Sequence, residues 1–141
     1  MLFAGLALSL PLGANAVTPE VSVESVDVTD GAQEAGEDVK VVTVLRNADD
    51  GTSGAFTISV FASTDNQITQ SDTLLGAIDI ADLAAGASVS VNQSFKLPDN
   101  LPVGDYFIGA ISNLNDTNMG NDINVDAVAM FVFIQFIMDA G

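Results

Sequence analysis

Apolar and polar residues alternate along most of this chain with a period of two, as in strands that bury one face. The clearest run is 86–97, where Val89, Val91, Gln93, Phe95 and Leu97 point one way and Ser88, Ser90, Asn92, Ser94 and Lys96 the other. The run 54–63 sets Phe56, Ile58, Val60 and Ala62 on its inner face, and 38–47 sets Val39, Val41, Thr43 and Leu45 there. In the first run Val21 and Val23 share a phase that Val26 and Val28 have lost by one residue, which predicts a bulge at Glu24-Ser25. Further runs at 73–80 and 103–112, with turn clusters at intervals of roughly 10–15 residues, complete the pattern of an all-β antiparallel sandwich of about seven strands. No stretch sustains the 3.6-residue period of a helix, and no internal repeat is present.

Two segments break the alternation. Residues 127–138 read AVAMFVFIQFIM, with Gln135 the only polar residue. The run 125–138 therefore reads as a last strand apolar on both faces, because its Phe, Val and Ile favour extended chain and its length is short of a membrane helix. Either the outer face meets a loop or the N-terminal segment, or another subunit covers it. The second reading makes Val128, Met130, Phe131, Val132, Phe133, Ile134, Phe136 and Ile137 candidate assembly residues, since a long bare apolar strand invites aggregation.

The other exception is residues 2–13, LFAGLALSLPLG, followed by Ala14-Asn15-Ala16, which fits a secretory signal cleaved after Ala16. The basic flank of such signals is missing, so a retained apolar segment is the alternative. The run is too short for a membrane span and contains Pro11. Residues 17–141 then form one domain, and the expected location is outside the cell or on its surface.

Composition narrows the function. Three Lys and Arg against 19 Asp and Glu give a net charge of −16. Nucleic acid and anionic membranes are poor partners, because both need a cationic surface that Lys40, Arg46 and Lys96 cannot supply. The acidity serves either a solvated surface that resists aggregation or the binding of a hard cation such as calcium. Without Cys or His, thiol catalysis, Ser–His–Asp hydrolysis and the usual zinc sites are excluded.

The stretches Leu45-Arg46-Asn47, FTISVFASTDNQITQSDTLLG (56–76) and LAAGASVSVNQSFKLPDNLPVGDYFIGAISN (83–113) carry a further signal. Together they resemble the CARDB family, the cell adhesion related domain found in bacteria. The matching positions are Asn47, Ser63, Asp65, Ile68, Asp72, Leu75, Gly76, Ala85, Gly86, Leu97, Pro98, Pro102, Gly104 and Tyr106, within about residues 38–122. The resemblance implies an immunoglobulin-like sandwich with an adhesive role. The chain departs from the family in having Asn115, Asp116, Asn118, Asn121 and Asp122 in place of an acidic stretch with an Asn-Asn pair, and in its unusually apolar last strand.

Candidate metal ligands fall in two groups. Asp65 and Asp72 flank the loop 63–72, where carboxylates either bind calcium or hold the turn through backbone N–H groups. In an immunoglobulin-like order the loops 48–53, 81–85 and 113–122 meet at one end, gathering Asp49, Asp50, Asp82, Asn113, Asn115, Asp116, Asn118, Asn121 and Asp122. Tyr106, near the start of its strand, is placed to form a tyrosine corner. Asn92 and Asn115 begin glycosylation acceptor triplets, and no phosphate-binding glycine loop is present.

The reading that follows is a secreted, non-enzymatic structural or adhesion protein that assembles into a filament or matrix as a homo-oligomer by strand addition. The alternative is a stand-alone module that binds carbohydrate or protein through its loops, with calcium. A glycosidase built on paired carboxylates is disfavoured, since no Trp is available to line a sugar site.

Overall fold

A computed structural model describes residues 20–28, 32–114 and 122–134. The alternating runs there become β1 (Val21–Val28), β2 (Ala32–Glu34), β3 (Asp38–Asn47), β4 (Phe56–Ser63), β5 (Thr73–Ile80), β6 (Ser88–Lys96), β7 (Gly104–Ser112), β8 (Ile123–Val125) and β9 (Met130–Phe133). A three-stranded antiparallel sheet has the order β1-β3-β6, and a larger sheet the order β2-β9-β7-β4-β5, with β8 also on β7. The inner faces close over one core, in which Val21, Val39, Val41 and Leu45 of the small sheet meet Ile58, Val60, Ile108 and Val132 of the large one. Among the described residues no helix is long and apolar enough to cross a membrane.

The phases read from the sequence hold. Val39, Val41, Thr43 and Leu45 are buried, as are Phe56, Ile58, Val60 and Ala62. The register of β1 against β3 shifts between Val23 and Ser25, where the change of phase places a bulge. Gln93 is the exception: it lies on the inward row of β6 but is exposed, because β6 is the edge of its sheet and only Phe95 on that half of the strand is closed over. The Cβ that Gly76 lacks would lie 2.7 Å from Phe95 Cδ1, so the facing edge of β5 approaches Phe95 through a bare backbone.

The last run differs from the expected uninterrupted strand buried on both faces. It starts earlier, at Ile123, and breaks between Val125 and Met130. β8 and β9 lie along the same edge of β7, against Gly109–Ile111 and Gly104–Tyr106 respectively. The break is held by Asp126, whose carboxylate accepts from Val28 N at 2.8 Å and Val128 N at 2.9 Å. Next to it, Asn124 Nδ2 donates to the carbonyls of Val23 and Glu24 at 2.9 and 3.0 Å, tying the large sheet to the bulge of β1.

The chain also changes sheets near its start, which the alternation does not reveal. β1 belongs to the small sheet, whereas β2 joins the large one and pairs with β9 in parallel, Phe131 opposite Ala32 and Phe133 opposite Glu34. Ala35 N donates to Phe133 O at 2.9 Å. The outer backbone edge of β9 is therefore taken by the chain itself. Counting β1–β2 as one strand that switches sheets and β8–β9 as one broken strand restores the seven expected.

Candidate functional site

The residues that carry the family resemblance are used to build the fold. Asn47 is fully buried at the end of β3; its Nδ2 donates to Gly51 O and Leu83 O, and its Oδ1 accepts from Asp49 N. The side chain thereby fastens the 48–53 loop to the 81–85 loop. Ser53 strengthens the join, accepting from Leu83 N through Oγ while Gly54 N donates to Asp82 Oδ1. Gly86 takes a φ of 71°, which a turn closed by Ala87 N on Ala84 O requires of its third residue. Tyr106 Oη donates to Pro102 O at 2.8 Å, the expected tyrosine corner, and burial pushes its pKa up.

The loop after β4 is a cover folded onto the outside of the large sheet. Asp65 Oδ1 accepts from Ser63 Oγ and Gln67 N, and Asp72 Oδ2 accepts from Thr69 N, so both carboxylates hold turns. Between them Ile68 drops onto the sheet and packs with Phe61 and Ile111, with Val125 at the margin. Gly109 is the receptacle: a Cβ there would overlap Ile68 Cγ1 and lie 2.8 Å from Asn124 O.

The other candidate ligands are spread out. Asp49 is half-buried, Asp50 exposed and Asp122 buried, while Asp116 lies outside the described residues. The 48–54 and 81–85 loops do meet, and Asn113 bonds Thr57 backbone in both directions rather than joining them. Asp122 lines a hollow of about 410 Å³ with Gln70, Ile111, Asn113 and Ile123. Among the described residues no three His, Cys, Asp or Glu side chains are grouped closely enough to hold a metal ion.

Among the described residues, apolar side chains are exposed on the outer face at the end of the large sheet. Met130 and Val132 point into the core, whereas Phe131 on the opposite side is 43% exposed. Val128 on the preceding turn is 72% exposed and Ile134 44%, and Phe133 is half-buried. Phe136 and Ile137 lie outside the described residues. Exposed Asp105 sits across the ladder from Phe131, and Glu34 across from Phe133. An apolar patch with an acidic border can exclude water against a second surface.

No family model and no curated protein matches the sequence. Solved structures do. The CARDB domain of a Pyrococcus furiosus protein, crystallised in complex with di-metal ions, superposes with a TM-score of 0.59 at 12% identity, covering 82% of this chain and 90% of that one. The solution NMR structure of that CARDB domain gives 0.60 at 14% identity, with 84% and 99% covered. A β-glucosidase from Listeria innocua matches at 0.52 and 16% identity, over 83% of this chain but 17% of the enzyme. The sandwich described above is thus the fold of CARDB domains, and the overlap with the enzyme is confined to a small part of its chain.

Proposed function

We propose that this chain, built on the CARDB fold, is a secreted, non-enzymatic structural or adhesion module that self-associates in an extracellular filament or surface matrix. The observation that carries the reading is the exposed Phe131, with Val128 and Ile134 beside it, on a stretch that has no charged residue from Ala127 to Met138 in a chain of net charge −16. Bare apolar surface is costly in water and is covered when copies meet. Because β2 occupies the edge of β9, the contact runs through side chains of the outer face and not through backbone added to that strand. The signal-like residues 1–16 support export, and a sequence without Cys or His supports a role outside catalysis.

Sedimentation and light scattering of the full chain over a concentration series test the reading. Association that grows with concentration and is lost in Phe131→Ser is expected; a wild-type chain that stays monomeric throughout overturns it.

A second reading, a stand-alone module that binds carbohydrate or protein with calcium, draws support from the di-metal complex of the Pyrococcus furiosus domain. Melting curves with calcium and with chelator decide it: a site of useful affinity raises the melting temperature with calcium concentration, and an unchanged temperature removes it.

A further inference from the structure

A sandwich that does not close into a barrel leaves open sheet edges, and a strand at such an edge is ordinarily guarded against pairing with another chain. β1 ends the small sheet on one side, and side chains occupy its outer backbone: Asn124 donates to the carbonyls of Val23 and Glu24, and Val28 N donates to Asp126. β2, at one end of the large sheet, has three residues and carries Glu34. β5, at the other end, is offset by a register shift opposite Val60 and Phe61, and it carries Asp79. β6 shows none of these features. It runs nine residues against β3 without a shift, and among the described residues no strand pairs with its far side.

The composition of β6 sharpens the contrast. From Leu83 to Phe95 no residue is charged and none is Pro, in a chain of net charge −16. On β3, the residues paired with Ser88–Ser94 include Lys40 and Arg46 but no acid, and Asp38 lies beyond them opposite Lys96. Val89 and Val91, on the inward row, are half-buried, and Gln93 on the same row is exposed, because no described strand lies beyond them.

We propose that the open edge of β6 pairs antiparallel with β6 of a second copy, joining two three-stranded sheets into one continuous sheet. This deepens the self-association reading and rests on it. Two chains at −16 each repel, and an uncharged edge is where their backbones approach with the least repulsion. Antiparallel pairing of a strand with its own copy is symmetric, so one edge serves both partners. Laying Ser88–Ser94 of one copy along the same stretch of the other sets Val91 against Val91 and Val89 against Gln93, which extends the cover over the half-buried valines. On the outward row it sets Ser90 against Asn92 and keeps the two Lys96 side chains apart. One ladder is a small contact, so it adds to the Phe131 contact and does not replace it. β6 and Phe131 belong to different sheets, so a copy that uses both reaches two neighbours, and association continues beyond a pair.

The experiment uses two full-length double variants at low salt, Ser90→Lys/Asn92→Lys and Ser90→Glu/Asn92→Glu, both at exposed positions of β6. Circular dichroism and melting curves establish that both fold. In the symmetric pairing each variant sets like charges directly opposite one another, and each alone is expected to associate at least about tenfold more weakly than wild type in sedimentation. The lysine variant lowers the net negative charge of the chain, so a general charge effect would strengthen its association; weakening points to the edge. Mixed in equal amounts, the two variants are expected to recover the assembly of wild type, because opposite charges then meet across the ladder. A lysine variant that assembles like wild type, or a mixture no stronger than its components, overturns the β6 pairing and leaves self-association through Phe131 standing. A monomeric wild type removes both.

Discussion

The outer face of the large sheet is covered at one end and bare at the other. Over β4 and β7 the chain folds its own 64–72 loop back, with Ile68 seated on Gly109 between Phe61 and Ile111. Over β9 none of the described loops folds in this way, and Phe131 is exposed beside Asp105. Both ends are apolar, so hydrophobicity alone does not tell them apart. The covered end has devices that serve the cover: a glycine where a side chain would collide, and two aspartates that hold the loop in shape. The bare end has none of these, and its charged neighbours face outward. That contrast separates apolar surface that a described loop covers from apolar surface that the described residues leave exposed.

The sharpest way to break the comparison is to fill the receptacle. Gly109→Val is expected to cost about 3 kcal/mol or more, because the added atoms meet both Ile68 and the backbone oxygen of Asn124. Denaturant unfolding measures it. Ile68→Ala should cost about 2–3 kcal/mol, and combining the two should cost clearly less than their sum, since the valine fills space the isoleucine vacates. Strict additivity would mean that the loop does not rest on Gly109.

A pH titration examines the interior behind the bare end, where Tyr106 lies opposite Met130. Its pKa is raised by burial, so above about pH 10 the unfolded chain has lost a proton that the folded chain still holds. Its contribution is complete below that pH and declines as pH rises through the folded-state value. In Tyr106→Phe this alkaline loss should disappear, together with about 1 kcal/mol for the bond to Pro102 O. The smallest effect belongs to the bare end itself: Phe131→Ser should change monomer stability by no more than about 0.5 kcal/mol in dilute solution, while abolishing association. A stability loss like that of Ile68→Ala would show Phe131 to be core.

Much of this architecture could be read in advance. Alternation located β3 to β7, the phase change located the bulge near Ser25, and the position of Tyr106 foretold its bond to Pro102. The same logic overreached at Gln93, where the phase was right but the strand lies at a sheet edge. It failed at the last run, whose continuous apolar residues conceal the break at Asp126. Turn-holding by Asp65 and Asp72 was one of the two roles their sequence positions offered, and the bonds to Gln67 N and Thr69 N show it.

Residue order settles which side chains share a face, because the pleat sends neighbours to opposite sides whatever the fold. It also settles how few cations there are and that Lys40 and Arg46 stand together on one outward row. Residues far apart in the chain behave otherwise. That Ala32–Glu34 would close the edge of Met130–Phe133, that Asn124 and Asp126 would fasten β1, and that Ile68 would cover one apolar half while Phe131 was left open depend on which strands become neighbours. Such pairings are chosen by the packing of the whole sandwich, and no local pattern in the chain encodes them.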